Sequence, residues 1–417
     1  MSAKFHVGLN VLTRIGGAGL AACSAIVLAH VVGAEGIGLF ALLRALPAIL
    51  VMVTELGVAA SGPYLINKRK FDANEVAGNA VLFGLIVGIV QIVLWCATHG
   101  LIGDYVLRGL PSEWILAAAL LAPIEIQLIE QQGIFRSLQR FWTTNLLHIG
   151  LEACLLLCFI TAAAFDALTI SSLVPCVLLA NFVILSLSSL CLVMLGVSPT
   201  WRLNIHLLKE SIRFGIRAQL SAALQYLNYR LDHLILGIMT GPEIVGLYFV
   251  ATRAAEMFRY LPVSVGFVIA PRLASRSLRS AIATVQRYAL PIFLLNLSAM
   301  VVAAAVGPYL FPIFFDDWSR EAVVPFWILL AGLTAVGANG AFSGFNDAQG
   351  MPELNLYANL MGLIVTVALD LTLIPIYHQI GAAVASSASY IVIGASLALF
   401  FRRAVRTGVK ISSSQFT

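Results

Sequence analysis

The chain has 417 residues, of which 60% are hydrophobic and only 11% are charged, and its formal net charge is +5. Soluble globular domains are about half apolar and about a quarter charged, so this composition excludes an ordinary soluble protein and indicates an integral membrane protein. The positive charge does not indicate a nucleic-acid partner, because the basic residues are confined to particular loops between apolar segments.

Twelve apolar segments are long enough to cross a bilayer, which takes about 20 helical residues. In the first half they are predicted at 9–32, 38–62, 75–98, 114–135, 142–164 and 170–195. In the second half they are predicted at 214–239, 244–270, 282–306, 323–345, 354–376 and 380–401. The predicted fold class is therefore an all-α integral membrane protein with twelve transmembrane helices.

A short repeat divides the chain into two halves. The segment 33–40, GAEGIGLF, returns 208 positions later at 241–248 as GPEIVGLY, and each half holds six of the predicted spans. An even number of spans gives both halves the same orientation. The sequence thus predicts two six-helix lobes related by a pseudo-two-fold axis along the membrane normal. The glycines suit a tight turn between the first two helices of each lobe.

Lysine and arginine lie almost entirely in alternate loops. The loops on the other side of the predicted bundle carry only Arg108 and Arg320. Basic loops stay in the cytoplasm, so both termini are predicted to be cytoplasmic. The predicted domains are an N-terminal lobe at 1–196, a cytoplasmic amphipathic connector at 197–213, a C-terminal lobe at 214–402 and a cytoplasmic tail at 403–417. In the connector, Trp201, Ile205 and Leu208 recur at helical spacing, which is typical of an interfacial helix.

Charged residues inside the bilayer are costly and commonly mark a site. Arg44 lies in the second span and Arg253 at a similar depth in the eighth, one position out of register with the repeat. Glu256 stands three residues after Arg253 and three before Arg259, so these side chains are helical neighbours. Guanidinium groups recognise phosphate through paired hydrogen bonds, which makes these arginines candidates for binding a phosphate.

Polar stripes follow two further spans. The seventh span carries Gln225, Asn228 and Asp232 on one face, with Arg230 on a nearly opposite face, and the eleventh carries Asn359 and Asp370. Such groups suit a water-filled cleft. The alternative is that they form hydrogen bonds between helices and only hold the bundle together, and this alternative is favoured for any single Asn or Gln.

Several motifs resemble those of one family. The segment LDHLILG at 231–237, the repeat at 241–248, Pro271 before a basic loop, LIP at 373–375 and GAAVA at 381–385 resemble the polysaccharide transporter family of lipid-linked oligosaccharide flippases. That family belongs to a superfamily with multidrug/toxin extruders and lipid II flippases. The layout matches over the whole chain, and the motifs match at 28–65, 214–273 and 354–390. One departure is that Ile216-Arg217 follows Phe214-Gly215, where the family often has proline.

The resemblance implies a flippase of the bacterial cytoplasmic (inner) membrane. It would move an undecaprenyl-pyrophosphate-linked oligosaccharide from the cytoplasmic to the periplasmic leaflet by alternating access, for surface polysaccharide or exopolysaccharide synthesis. No catalytic residue, metal site or cofactor is expected beyond a coupling proton or sodium ion. The expected partners are the lipid-linked substrate, the bilayer, and a polysaccharide polymerase with its chain-length machinery. The candidate substrate-binding residues are Arg44, Arg230, Arg253, Arg259, Gln225, Asn228 and Asn359, and the candidate ion-coupling residues are Asp232, Glu256 and Asp370.

Two alternatives stay open. A multidrug/toxin extruder would share the fold and differ only in its ligand, although arginines in a cleft do not favour cationic drugs. A membrane polysaccharide polymerase or glycosyltransferase would be expected to carry a sizeable outer loop or domain. The longest outer loops here, near 99–113 and 307–322, are short, so this second alternative is less favoured.

Overall fold

The computed structural model describes residues 3–69, 71–274, 278–337 and 339–407, with side chains at 13, 16–69, 71–258, 279–337 and 339–406. Within these residues the protein is helical and contains no strand. Its helices are α1 (Ala3–Thr54), α2 (Val58–Asn67), α3 (Ala73–Leu101), α4 (Ser112–Ala118), α5 (Leu121–Ser137), α6 (Phe141–Ala164), α7 (Leu173–Met194), α8 (Ile205–Met239), α9 (Pro242–Ala274), α10 (Leu278–Phe315), α11 (Val323–Ala335), α12 (Asn339–Ala348) and α13 (Pro352–Thr407). Short π and 3₁₀ turns occupy Ile102–Val106 and Asp317–Ala322.

All twelve predicted spans are helical, which confirms the all-α prediction. The helix boundaries differ where spans join or break. The first span and most of the second lie in α1, which is interrupted at Gly33, and the last two lie in α13, interrupted at His378. Both residues have positive φ, of 66° and 48° respectively. The fourth span is divided into α4 and α5, and the tenth into α11 and α12.

The chain is a multi-pass membrane protein. In the described part, seven helices are long and apolar enough to cross a membrane, or eight if the bent pair Asp317–Ala335 and Asn339–Ala348 forms one span. Two of the seven, within α1 and α13, are 39 and 55 residues long, and each covers two of the predicted spans. Helices α8 and α9, which hold several charged residues, are not among them.

The second predicted span breaks before its end, at Glu55–Gly57. Leu56 and Gly57 both have positive φ, 55° and 86°, a conformation that glycine adopts at little cost. Glu55 accepts hydrogen bonds from the amides of Gly57, at 2.9 Å, and Ala59, at 2.6 Å. This carboxylate therefore satisfies two of the free N–H groups at the start of α2.

The segment predicted as a connector, 197–213, contains the start of helix α8. Helix α8 begins at Ile205 and continues without a break to Met239. Asn204 caps it, because its Oδ1 accepts from the amides of His206 and Leu207 at 3.0 and 3.1 Å. No proline follows Phe214-Gly215, so nothing removes a backbone hydrogen bond at this point and the helix continues.

The described helices form two compact units, and the division falls inside α8. The first unit comprises residues up to Tyr226 together with Gly241–Glu243, and the second comprises Leu227–Thr240 and residues from Ile244 onward. The core of the first unit includes Ile126, Phe135 and Ile184. The core of the second unit includes Phe345 and Phe401, whose rings meet edge to face at 5.1 Å. The predicted lobe boundaries and pseudo-two-fold axis remain predictions.

Candidate functional site

In the first unit, Arg44 forms an ion pair with Glu152. Arg44 lies in the second part of α1 and Glu152 in α6, and two hydrogen bonds of 2.8 and 3.2 Å join the guanidinium to both carboxylate oxygens. The Glu152 side chain is almost fully buried, whereas 29% of the Arg44 side chain is exposed. Glu125 of α5 also lies close enough to act on Arg44 electrostatically. This arginine is therefore held by carboxylates within its own unit.

Glu55 follows Arg44 by about three helical turns in the sequence, but its carboxylate binds backbone amides. Its two oxygens bind the amides of Gly57 and Ala59, beyond the end of α1. The break after Thr54 turns the chain away from the straight helix that the sequence predicts. In the described structure, Glu55 is a helix cap.

In the second unit, two arginines share one carboxylate. Arg230 of α8 binds Glu256 of α9 through both terminal nitrogens, at 3.0 and 3.3 Å. Arg253, one turn before Glu256 on α9, lies 3.8 Å from the same carboxylate. Arg253 also stands over the ring of Phe249, 4.9 Å from its centroid, which is a cation–π geometry. These three ionised side chains carry a net charge of +1.

Arg230, on the face of α8 nearly opposite the polar stripe, binds Glu256. That stripe is not a uniform surface: Gln225 is exposed, whereas Asn228 is buried. The side chain of Arg259, the third predicted arginine of α9, lies outside the described residues.

Asn228 and Asn359 lie together where α8 meets α13. The Asn228 amide nitrogen donates to the backbone oxygen of Asn359 at 2.8 Å, and Ser389 donates to the Asn228 side-chain oxygen at 3.3 Å. These are hydrogen bonds between helices, as expected if such polar residues only hold the bundle together. The side chain of Asn228 thus holds α8 against both parts of α13.

Asp232 is fully buried and surrounded by donors. Tyr248 and Ser386 donate to its Oδ2 at 2.6 and 2.9 Å, and the amide of His233 donates to its Oδ1 at 2.8 Å. The His233 ring nitrogen Nδ1 lies 2.8 Å from the same oxygen. This network joins α8, α9 and the second part of α13, so both Asp232 oxygens are satisfied.

Asp370 presents the opposite environment. It is 0% exposed, and neither of its carboxylate oxygens has a hydrogen-bond partner among the described residues. The buried hydroxyl of Thr366, one turn earlier on α13, likewise has no partner there. Asp370 lies close enough to Asp232 for the two carboxyl groups to interact electrostatically. Burying an unpaired carboxylate is costly, so Asp370 suits a group that binds a cation.

Helical spacing did not identify the partners of these candidates. Glu152, Tyr248 and Ser386 were not predicted as site residues. The sequence pattern could have indicated a polar contact at Ser386, because Ser386 and Ser389 lie one turn apart in an apolar helix. The sequence could not show that they face Asp232 and Asn228, which lie about 150 positions away in the chain.

Residues 27–322 match the family model described as "Polysaccharide biosynthesis protein". No curated protein matches the chain. Among solved structures, the lipid II flippase MurJ in an inward closed conformation is 12% identical, with a TM-score of 0.79 over 94% of this chain and 87% of that chain. An inward-facing multidrug resistance MATE family transporter of the MOP superfamily is 15% identical, with a TM-score of 0.69 over 98% and 96% of the two chains.

A MOP superfamily transporter from Pyrococcus furiosus is also similar, at 14% identity and a TM-score of 0.64, over 96% of this chain and 95% of that chain. At these identities the likeness shows the fold, which is that of the MurJ and MATE transporters. The family match covers well over half of the chain and confirms the resemblance seen in the sequence motifs. The chain therefore belongs to the polysaccharide biosynthesis protein family and has the fold of MOP-superfamily transporters.

Proposed function

We propose that this protein is a flippase for an undecaprenyl-pyrophosphate-linked oligosaccharide, which it moves from the cytoplasmic to the periplasmic leaflet of a bacterial inner membrane. The carrying observation is that Arg230 and Arg253 both lie against the carboxylate of Glu256. Two guanidinium groups beside one carboxylate suit an anionic ligand. Because the chain belongs to the polysaccharide biosynthesis protein family, we infer that the anion is a polysaccharide precursor.

Arg253 is the residue best placed to bind phosphate in this proposal. Its side chain is 39% exposed, whereas that of Arg230 is 14% exposed and bound to Glu256 through both nitrogens. Arg230 thereby holds Glu256, and Glu256 together with the Phe249 ring positions Arg253. A guanidinium group positioned in this way can offer two parallel N–H donors to a phosphate oxygen pair.

The arginine of the first unit supports this function less directly. Both terminal nitrogens of Arg44 bind Glu152, and Glu125 adds a second acid nearby. A phosphate would have to compete with Glu152 for the same donors. In our proposal, Arg44 binds substrate only when that ion pair opens, and alternating access supplies the change.

We assign the coupling ion, a proton or a sodium ion, to Asp370. Its two oxygens lack partners among the described residues, whereas Asp232 accepts four contacts from its neighbours. Glu256 is bound to arginines and is a weaker candidate. A cation bound at Asp370 would offset the cost of burying its charge.

The remaining parts of the proposal rest on loop charge and family membership. Both termini lie in the cytoplasm, because lysine and arginine are concentrated in the loops on that side. Gln225, Asn359 and Arg259 contact the sugar or phosphate groups as predicted from the sequence. A polysaccharide polymerase and its chain-length machinery accept the product on the outer side.

Reconstitution into vesicles tests the proposal. The purified protein is incorporated with a fluorescent undecaprenyl-pyrophosphate-linked oligosaccharide, and exchange between leaflets is followed with a quencher that does not cross the membrane. We expect wild-type protein to exchange the lipid and Arg253→Ala to slow exchange by at least about tenfold, the loss of one charge-assisted contact. Arg253→Lys should lie between the two, because it keeps the charge but loses the fork.

Arg320→Ala is the matched control. Arg320 is an exposed arginine that pairs with Asp317 outside the apolar part of the helices. Its removal changes the net charge equally but should leave exchange unchanged. If Arg253→Ala exchanged the lipid at the wild-type rate, Arg253 would have no role in phosphate binding. If the vesicles transported a lipophilic cationic dye and not the lipid, the multidrug alternative would replace the flippase.

A further inference from the structure

Glu130 is the most deeply buried acid of the first unit that the proposed transport does not use. It lies in α5, two turns before the end of that helix, and is 0% exposed. Neither of its two carboxylate oxygens has a hydrogen-bond partner among the described residues. An acid inside a membrane bundle that lacks a partner is costly and therefore calls for a ligand.

A small cavity lies against this carboxyl group. Its volume is about 10 Å³, which is about enough to hold one water-sized particle. Besides Glu130, the polar residues that line it are Ser61 on α2 and Ser211 on α8. Residues of three helices of the first unit thus meet at one cavity.

The two serine hydroxyls already use their protons within their own helices. Ser61 donates its proton to the backbone oxygen of Val58 at 2.7 Å, and Ser211 donates to the backbone oxygen of Leu207 at 2.9 Å. Each hydroxyl has one proton, so what remains on each oxygen is lone-pair density. With the two oxygens of Glu130, the described polar lining can accept but not donate.

Two charged groups outside the cavity act on Glu130. Glu55, before α2, is a like charge, and Arg136, in the last turn of α5, is an opposite charge. Glu55 is already bound by two backbone amides, and no hydrogen bond joins Arg136 to Glu130 in the described structure. Glu130 therefore remains the one acid with free oxygens that lines this cavity.

We propose that this cavity is a site for one sodium ion, coordinated by Glu130, Ser61 and Ser211. A cation satisfies every acceptor oxygen at once, and a single positive charge matches the single free carboxylate. Hard oxygen ligands suit hard cations such as sodium, and the volume has room for one ion of about the size of a water molecule. The site belongs to the first unit, and it is separate from the coupling site that we assign to Asp370.

The bound ion would hold together three elements of the first unit. Helices α2 and α5 already touch closely, since a Cβ placed on Gly133 would overlap the backbone of Ala59. Ser211 brings in the first part of α8, the helix that continues into the second unit. Sodium binding should therefore stabilise the attachment of α8 to α2 and α5.

Thermal unfolding of the purified protein in detergent tests the site. Every protein carries Asp370→Asn, so that the proposed coupling site cannot contribute, and each is measured in sodium chloride and in choline chloride at equal ionic strength. We expect sodium to raise the unfolding temperature of this parent protein by about 2–4 °C. Glu130→Gln should abolish the sodium-dependent rise, and Ser211→Ala should reduce it.

Glu113→Gln is the control, because Glu113 is an exposed glutamate in the first turn of α4. It should keep the full sodium-dependent rise. If Glu130→Gln does not fold, Ser61→Ala and Ser211→Ala decide the question, since each removes one oxygen from the cavity. A rise of equal size with and without these oxygens overturns the proposal. A response to pH alone, with sodium and choline equivalent, would make the ligand a proton and also overturn it.

Discussion

Arg44 and Glu152 are joined by two hydrogen bonds, of 2.8 and 3.2 Å, although 108 positions separate them in the chain. The pair fixes the second part of α1 against α6 inside the first unit. It also decides how Arg44 can act, because both terminal nitrogens of its guanidinium are already bound. Arg44, the candidate phosphate-binding residue of the second span, thus also forms a structural contact between two helices.

Removing one member of the Arg44–Glu152 pair should destabilise the protein more than removing both. Glu152→Leu removes the carboxylate that both terminal nitrogens of Arg44 bind, and we expect a loss of about 1–3 kcal/mol in the free energy of unfolding. Arg44→Met should cost a similar amount. The double variant Arg44→Met/Glu152→Leu should be more stable than either single variant, because it removes the two charges of the pair together. Thermal unfolding of the four proteins measures the coupling, and additive losses would contradict it.

The Asp232 network predicts graded losses. Tyr248→Phe removes the shortest of its side-chain bonds, at 2.6 Å, and Ser386→Ala removes one of 2.9 Å. Hydrogen bonds between helices in membranes contribute on average about 0.6 kcal/mol, so each variant should be destabilised by about 1 kcal/mol. Asp232→Asn should be destabilised more, because it replaces a carboxylate that accepts from donors on three sides.

Ser298→Ala is the control for these variants, since Ser298 is an exposed serine that bonds only to its own helix, at 2.8 Å, in the described structure. Unfolding temperatures provide the comparison. Equal stability of Tyr248→Phe and wild-type protein would show that Asp232 does not need this donor. It would also weaken the argument that Asp232 is satisfied while Asp370 is not.

The contact between α8 and the α1–α2 break depends on two glycines. A Cβ placed on Gly215 would overlap the backbone carbonyl of Gly57, and a Cβ placed on Gly57 would overlap the backbone of Gly215. Beside this contact the rings of Tyr64 and Phe214 stack 4.0 Å apart and nearly parallel. Gly215→Ala should therefore force the two backbones apart and destabilise the protein by about 1–3 kcal/mol.

The matched control is Gly16→Ala in α1, where a Cβ meets nothing within 4 Å. Alanine favours a helix by about 1 kcal/mol over glycine, so this control should be neutral or stabilising. The same gain applies at Gly215, which makes the expected loss there a clear sign of steric overlap. Yield and unfolding temperature distinguish the two variants, and a stable Gly215→Ala protein would contradict the close approach.

Asn204 should matter more than an ordinary helix cap. Besides capping α8, its side-chain amide donates to Glu75 at 2.7 Å, whereas its hydrogen bonds with the Asn79 side chain, at 2.7 and 2.8 Å, use the Asn204 backbone and remain in an alanine variant. We expect Asn204→Ala to cost at least the ~1 kcal/mol of a typical cap and, through loss of the Glu75 contact, to loosen the segment before α8 from α3. Limited proteolysis within residues 198–204 should become faster.

Asp72→Ala provides the comparison, because Asp72 caps α3 by accepting from the amides of Asn74 and Glu75 alone. It should lose stability without exposing the segment before α8. Equal protection of that segment in both variants would show that Asn204 acts only as a cap.

Helix α8 begins within the segment that the sequence assigns to the connector, 197–213, and continues to Met239. The apolar positions of 197–213 have helical spacing, and the sequence indicates this correctly. What the spacing cannot show is whether the helix ends before the next span begins. The Asn204 cap gives it a defined start, and Gly215 serves as a close contact with Gly57 and not as a helix terminus.

The sequence by itself determined that this is a membrane protein with twelve helical spans, because the length and apolarity required to cross a bilayer are local properties of the chain. It also determined the family, through glycine, proline and charged motifs at fixed positions. Only the tertiary structure decided which charged groups are paired. Arg44 with Glu152, Arg230 with Glu256, and Asp232 with Tyr248 and Ser386 are contacts between helices, and helical periodicity carries no information on which face meets which. The same packing left Asp370 and Glu130 buried without partners in the described structure, and those two acids are where ions are now expected to bind.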